Sequence, residues 1–207
     1  MSVHMQRTDD DTLKEGTFNG LWQLKELVIV KCALKVIESN TFQSYGLEEL
    51  ETLNLQDNKI RLIYSVTFEP NTFYGMDWLN SLSLRNNLLE TLPMNLFKNL
   101  HTLQKIDLQG NQLKILSNNI FSNLGSFYEI SINLNFNQIK YLSPQAFENK
   151  LKISEGSHYE SQFGMMPVCT VTIYDDCIQD TNLNLFVFQS FYLAIQNASL
   201  PVDLDMN

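Results

Sequence analysis

The side chains that could carry out chemistry are few and far apart in this 207-residue chain. A histidine can act as a general acid or base or bind a metal, but His4, His101 and His158 share no motif. His101 follows Leu100 in a loop, where a solvent-exposed residue is the ordinary interpretation. The chain has no Gly-rich phosphate loop, no H-E-x-x-H pair and no C-x-x-C pair. We therefore expect no catalytic residue, no cofactor and no enzymatic activity.

Two acidic runs and two late cysteines are the remaining chemical candidates. The runs Asp9–Asp11 and Asp175–Asp176 lack the spaced oxygen ligands and central glycine of a calcium loop, so solvated charge and no metal site are expected. Cys169 and Cys177 could close a small disulfide loop in an oxidising compartment, or they could be two unrelated thiols. Asn197 begins an N-x-S glycosylation acceptor, a short motif whose use the sequence leaves open.

Charge and hydropathy exclude two classes of partner. The formal net charge is −9, without the clustered Lys and Arg that a phosphate-tracking surface needs, so no nucleic acid is expected. The same charge argues against docking on anionic membrane. The best candidate for a membrane span, residues 183–200, contains six polar side chains, and no charged-then-apolar leader opens the chain. We expect no direct membrane insertion, and neither signal nor anchor in this chain.

A repeating frame of apolar residues must position every other side chain. From Leu79 to Leu100 the sequence reads L-x-x-L-x-L-x-x-N-x-L-x-x-L-P-x-x-x-F-x-x-L, and 24 residues later the same frame begins again at Leu103. Further frames begin at Leu24 and Leu50, and one more is centred on Ile132 with Glu129 in place of its first leucine. A degenerate coil, expected to be frayed at Asp10, precedes them. We call the frame's asparagine position the ladder position. In the five successive frames it is occupied by Cys32, Asn58, Asn87, Asn111 and Asn137.

The spacing within one frame predicts a stack of coils. The L-x-L core alternates with period two, which is typical of a short strand with one buried face. Parallel strands of neighbouring coils lie about 4.8 Å apart, while the looser second half of each coil needs more width, so the stack should curve. The ladder asparagine follows the strand, where its amide can satisfy buried backbone groups that would otherwise cost about 1–3 kcal/mol each. Cys32 can do so only weakly. The frame's phenylalanines, including Phe147, should fill the core on the far side.

This frame resembles the "typical" leucine-rich-repeat class of extracellular receptors, which includes Toll-type ectodomains, chaoptin-like adhesion proteins and Slit-like proteins. The resemblance covers roughly residues 13–149. It implies an α/β solenoid, a leucine-rich-repeat horseshoe with a short parallel β-sheet on the concave face and an irregular or 3-10 convex side. It also implies binding of a protein on the concave or lateral faces. We predict a solenoid over residues 1–149 and a divergent C-terminal segment over residues 150–207.

The C-terminal segment departs from the family pattern. Family arrays usually end in a cap rich in cysteines, whereas this segment offers only Cys169 and Cys177. Residues 169–174 alternate like a strand. The segment is the only candidate to cover the last coil, but it could also be divergent sequence that packs poorly.

The solvent-facing residues of the strands are the expected binding surface. They should form columns on rigid strands, so that binding costs little ordering entropy. For each of them, an ordinary solvated strand face is the alternative. We select six candidates and expect none of the first five to be needed to hold a coil together: Gln56, Arg85, Asp107, Gln109, Asn135 and Phe136.

We expect an extracellular recognition or adhesion module that binds a protein partner. An intracellular leucine-rich-repeat adaptor is the alternative, with which Cys32 and the missing leader are compatible. The sequence leaves open the identity of the partner and whether the chain forms a homo- or heterodimer.

Overall fold

A computed structural model describes most of the first 146 residues and one later strand. The described residues are 1–6, 11–38, 41–42, 47–61, 72–73, 75–93, 96–98, 100–121, 124, 130–143, 146 and 169–172. Phe147, Cys177, Asn197 and most of residues 150–207 lie outside them, so the predictions for those residues stay predictions.

Eleven short strands make up the regular structure of the described residues, and the longer ones alternate between buried and more exposed side chains. They are β1 (Ser2–Gln6), β2 (Thr12–Leu13), β3 (Glu26–Val30), β4 (Val36–Ile37), β5 (Thr52–Asn54), β6 (Ser81–Ser83), β7 (Lys105–Asp107), β8 (Ile115–Leu116), β9 (Ile130–Asn133), β10 (Tyr141–Leu142) and β11 (Cys169–Thr172).

Seven of these strands form one parallel sheet in the order β1-β3-β5-β6-β7-β9-β11. One row of apolar side chains, taken from consecutive coils, lies in register along it: Leu27, Leu53, Leu82, Ile106 and Ile132. All five are buried, whereas their neighbours along each strand are partly or fully exposed. The chain is therefore a parallel-strand solenoid of stacked coils, as the frame predicts.

The side of the coils opposite the sheet is irregular in the described residues. It consists of turns and two small parallel sheets, β2 with β4 and β8 with β10. Phenylalanines fill the core here by stacking between coils: the ring centroids are 5.7 Å apart for Phe18 and Phe42, 5.9 Å for Phe42 and Phe73, and 5.8 Å for Phe97 and Phe121. Stacked rings contribute more than area burial alone, by about 0.5–1.5 kcal/mol a pair.

Both ends of the sheet carry a strand that the regular frame does not supply. Strand β1 pairs with β3 along its whole length, with Val3 opposite Leu27 and Met5 opposite Ile29. Asp10, where fraying is expected, lies outside the described residues. Strand β11 pairs in parallel with β9, with Val171 opposite Ile132, and extends the sheet by one strand.

Ion pairs on the surface connect successive coils. Lys25 Nζ lies 2.7 Å from Glu51 Oε1, Lys35 Nζ 3.0 Å from Asp11 Oδ2, and Lys114 Nζ 3.2 Å from Glu90 Oε2. All are largely exposed, so each contributes little to stability. Within the described part of the chain, no helix has the length and apolar character needed to cross a membrane.

Candidate protein-binding surface

The candidate residues lie on the outer side of the seven-stranded sheet, which we call the strand face. It comprises the outward side chains of β3, β5, β6, β7 and β9 and of the residues that follow each strand. Three of its columns run across the coils in register: Val28-Asn54-Ser83-Asp107-Asn133, Val30-Gln56-Arg85-Gln109-Asn135 and Lys31-Asp57-Asn86-Gly110-Phe136. All side chains of the first two columns are half-buried. The structure thus places Gln56, Arg85, Gln109 and Asn135 side by side, with Asp107 in the adjacent column.

Buried asparagine amides hold the strand face from behind. Asn111 Nδ2 donates to the carbonyl of Leu84 in the preceding coil at 3.0 Å and to that of Leu108 in its own coil at 2.9 Å. Asn111 Oδ1 accepts from the backbone N–H of Leu89 at 3.1 Å. The other ladder asparagines, Asn58, Asn87 and Asn137, make the equivalent bonds. Each asparagine therefore joins its coil to the preceding one.

Cys32 replaces this arrangement with a weaker one. Its Sγ–H is 3.4 Å from the carbonyl of Val30 and 3.5 Å from that of Met5 in the preceding coil, and a thiol is a weak donor. The Cys32 thiol is free and buried. The expected pair of Cys169 and Cys177 is untested, because Cys177 lies outside the described residues and Cys169 is described by its backbone alone.

Side chains of the first column also cap the strand ends. Asn54 Oδ1 accepts from the N–H of Gln56 at 3.0 Å, and Asp107 Oδ1 accepts from the N–H of Gln109 at 3.0 Å. Asn133 Oδ1 accepts likewise from the N–H of Asn135 at 3.1 Å. The expectation that Asp107 plays no part in holding its coil is therefore wrong. The carboxylate satisfies a backbone donor two residues on, which is a local preference of Asp and Asn that the repeat frame does not reveal.

Arg85 is the one cation in the centre of these columns. In the described part of the chain its guanidinium has neither a hydrogen bond nor an ion pair, although its backbone carbonyl accepts from the N–H of Asp57 at 2.9 Å. The columns around it carry carboxamides and carboxylates that bond to one another: Asn133 Nδ2 donates to Gln109 Oε1 at 3.0 Å, and Asn86 Nδ2 donates to Asp57 Oδ1 at 2.8 Å. A planar guanidinium with free donors, set among amides that donate and accept, can recognise carboxylates or peptide groups of a partner.

The third column has a backbone conformation that few side chains tolerate. The φ angles are 55° at Lys31, 56° at Asp57, 52° at Asn86, 69° at Gly110 and 55° at Phe136. Asn, Asp and Gly enter this left-handed region readily, whereas it is a strained conformation for a bulky residue. At Gly110 a Cβ atom would also collide with Asn86 Oδ1. The column itself follows from the repeat frame, but sequence reasoning missed its left-handed backbone, although Asp, Asn and Gly just before the ladder position are the signal that could have revealed it.

Phe136 is the exception in that column. Its side chain is 47% exposed although it is large and apolar, and its backbone has positive φ. Strained conformations persist only where the surrounding structure imposes them, and they cluster at functional sites. Phe136 does not belong to the buried core, because about half of it is exposed to solvent. Phe136 is therefore an exposed aromatic side chain held on a strained backbone.

Two tryptophans that sequence reasoning also missed lie at another surface. Trp22 and Trp78 are 69% and 66% exposed, in the turns that lead into β3 and β6. We call the residues of these turns the amino edge of the sheet: Trp22 and Gln23, Glu48 and Glu49, Asp77 and Trp78, His101 and Thr102.

The described residues hold little that could serve catalysis. No group of three or more His, Cys, Asp or Glu side chains among them is placed to hold a metal ion. Two surface groups have shifted pKa values because of their ion pairs. The hydrogen bond from Lys35 lowers the pKa of the Asp11 carboxyl, and the hydrogen bond to Glu51 raises the pKa of Lys25.

Two family models match the chain. A leucine-rich-repeat model matches residues 64–113 and 77–129, and a model of a BspA-type leucine-rich-repeat region matches residues 7–72. A search of curated proteins gave no match. The chain thus contains leucine-rich repeats, and this part of the prediction is confirmed. Domains of these families generally mediate protein–protein interaction and are typically binding modules, not enzymes.

Proposed function

We propose that this leucine-rich-repeat chain is a recognition module that binds a protein partner on its strand face, with Arg85 and Phe136 as the main contacts. Arginine and aromatic residues are enriched among the few residues that dominate binding energies. Gln56, Gln109 and Asn135 then form the polar surroundings, which exclude water and select for the partner's hydrogen-bonding groups.

The observation that carries this proposal is the rigidity of the strand face. Backbone pairing holds the strands in register, ladder asparagines fix the turns behind them, and Asp107 and Asn133 fix the backbone of the second column. A surface held in this way loses little conformational entropy when it binds. The positive φ at Phe136 supports the same proposal, because an asparagine would adopt that backbone conformation with less strain.

An extracellular or cell-surface setting is part of the proposal. BspA-type repeats occur in surface or secreted bacterial proteins. The residue frame is also similar to the Toll-type, chaoptin-like and Slit-like receptor class. We propose accordingly that the coils curve into a horseshoe with the strand face on its concave side. The pairing of β11 with β9 supports a covering role for residues 150–207 at the last coil.

Charge reversal at Arg85 tests the strand face directly. The parent chain is used to capture partners from a library of displayed extracellular proteins, and each partner is then titrated against Arg85→Glu. We expect Arg85→Glu to fold as the parent does, since surface changes are usually worth less than about 0.5 kcal/mol. Its affinity should fall by about 30-fold or more, the effect of losing a binding hot spot.

Lys98→Glu is the matched control, because Lys98 is exposed on the side of the coil away from the sheet and the same charge is reversed. It should bind as the parent does. A partner that binds parent, Arg85→Glu and Asn135→Arg equally well would contradict the strand-face proposal.

A further inference from the structure

The amino edge carries two exposed tryptophans that folding does not explain. Trp22 lies two residues before Leu24, and Trp78 lies directly before Leu79, the first leucines of their frames. The leucines are fully buried, whereas the tryptophans are 69% and 66% exposed. Single exposed apolar residues are common on protein surfaces. Trp22 and Trp78 differ from such single residues, because two exposed indoles lie at nearly the same position of two coils and belong to one surface.

The strand register sets the separation between them. Glu26 pairs with Thr52, and Thr52 pairs with Ser81, so the two tryptophans belong to coils that are two strand spacings apart. With about 4.8 Å between neighbouring strands, the two coils that carry the tryptophans are roughly 10 Å apart along the stack.

Exposed carboxylates lie along the same edge, and one of them, Glu49, adds to the effect of Glu51 in raising the pKa of Lys25. Glu48 and Glu49 lie at the amino edge of the intervening coil, and Asp77 lies next to Trp78; all three are exposed. Within the described residues none of the three has an ion pair. The cation nearest in sequence to Trp22, Lys25, is bound to Glu51 at 2.7 Å.

We propose that the amino edge binds an extended basic segment of a partner protein, with one cationic side chain on each indole and the carboxylates along its length. Tryptophan is the best aromatic residue for cation–π contacts, and unpaired carboxylates favour the same cations. The net charge of −9 disfavours a second copy of this chain as the occupant of this acidic edge. This surface is separate from the strand face and does not depend on it.

The separation also specifies the spacing within the ligand. A polyproline II segment has three residues per turn and rises about 3.1 Å per residue. Its side chains at positions i and i+3 therefore point the same way about 9 Å apart, which is close to the separation of the two coils that carry the tryptophans. The motif expected to bind is Arg-x-x-Arg. Adjacent arginines would point in different directions and could reach one indole only.

Fluorescence titration of the full chain with two peptides of identical composition tests this proposal. The probe is acetyl-Pro-Arg-Pro-Pro-Arg-Pro-amide, and the spacing control is acetyl-Pro-Arg-Arg-Pro-Pro-Pro-amide. The probe should bind more tightly than the control, and its affinity should fall with salt because the carboxylates are exposed. Trp22→Ala and Trp78→Ala should each weaken the probe by about two- to fivefold, the effect of one exposed cation–π contact.

Tyr141→Ala is the matched control, because it removes an exposed aromatic side chain on a different part of the coil. It should leave the affinity for the probe unchanged. The triple variant Glu48→Gln/Glu49→Gln/Asp77→Asn retains both indoles, and it should bind the probe more weakly with a smaller salt dependence.

Three results would overturn the proposal. One is equal affinity for the two peptides, and another is unaltered binding by both tryptophan variants. The third is that the chain binds a neutral oligosaccharide more tightly than the probe and that the same variants lose this binding. The amino edge would then be a carbohydrate-binding surface. None of these results affects the binding test with Arg85→Glu. The strand-face proposal and the amino-edge proposal can therefore be contradicted independently of each other.

Discussion

Replacing Phe136 tests whether the strand face stores backbone strain. The change Phe136→Asn substitutes a residue that accepts positive φ, whereas Phe136→Leu retains a branched apolar side chain that does not. Hydrophobicity alone predicts that the leucine variant is the more stable of the two. The backbone angle of 55° at this position predicts the opposite order.

Two opposing free-energy terms set the size of the effect at Phe136. A left-handed conformation costs an ordinary L-residue roughly 1–2 kcal/mol, and asparagine avoids much of it. Against this, burial of a whole phenylalanine side chain contributes about 1.5–3 kcal/mol. Phe136 is 47% exposed, so about half of that burial is lost in the asparagine variant. The two terms nearly cancel, and we expect Phe136→Asn to lie within about 0.5 kcal/mol of the parent.

The leucine variant loses some of the burial and retains the strain. We expect it to be less stable than the asparagine variant by about 0.5–1 kcal/mol. Urea unfolding followed by far-UV circular dichroism measures the difference, provided that the m-values of the variants agree. Both variants should bind a strand-face partner at least about 30-fold more weakly, because each removes the aromatic ring.

Lys31→Asn isolates the backbone contribution. Lys31 occupies the same column in the first matched coil with a φ of 55°, and its side chain is exposed, so no burial is lost. This variant should be more stable than the parent by about 0.5–1 kcal/mol. A leucine variant of Phe136 more stable than the asparagine variant, together with no gain from Lys31→Asn, would refute the argument from strain.

Three further perturbations test the ladder, the left-handed column and an ion pair. Asn111→Ala removes three hydrogen bonds and leaves a buried N–H without an acceptor. Thermal or urea unfolding should therefore show that the free energy of unfolding falls by about 2–3 kcal/mol. An unchanged stability would contradict the structural role of the ladder. Gly110→Ala should cost at least about 1–2 kcal/mol, since φ is positive and the new Cβ meets Asn86, and an equally stable variant would be inconsistent with that geometry. Asp11 has a lowered pKa in the folded chain, so its pair with Lys35 stabilises the fold above about pH 4 and should cease to do so as the pH falls through the folded pKa. Lys35→Met should remove this contribution. If the pair has no effect, the parent and Lys35→Met should lose the same stability as the pH falls.

The sequence was sufficient to predict the sheet and its register. Each frame places apolar residues at fixed intervals, and a coil can bury them only by stacking against its neighbours, so the row from Leu27 to Ile132 follows from the period alone. The three candidate columns follow from the same register. The repeats therefore predict which residues share a face without any knowledge of the loops.

The features that the sequence did not reveal depend on geometry outside the period. Positive φ at Phe136 is a property of the turn, and a phenylalanine there gives no local signal. The role of Asp107 as a cap becomes apparent only when its carboxylate and the N–H of Gln109 are placed 3.0 Å apart. The pairing of β11 with β9 joins Val171 to Ile132 across an interval that fits no repeat.

Some features of the chain follow from the repeat period and others do not. This distinction explains how one solenoid can carry two separate surfaces. The apolar residues of the frame are buried in the core, and the ladder residue hydrogen-bonds to the backbone of the neighbouring coil. The remaining positions are free of these structural roles, and the two proposed surfaces use such positions: Phe136 with its strained backbone, and Trp22 and Trp78 with their exposed indoles. Strands β3 and β9 are four spacings apart, or about 19 Å, and sites more than about 10 Å apart usually contribute additively. The strand face at Phe136 and the amino edge at Trp22 can thus bind different parts of one partner, with each affinity set by its own residues.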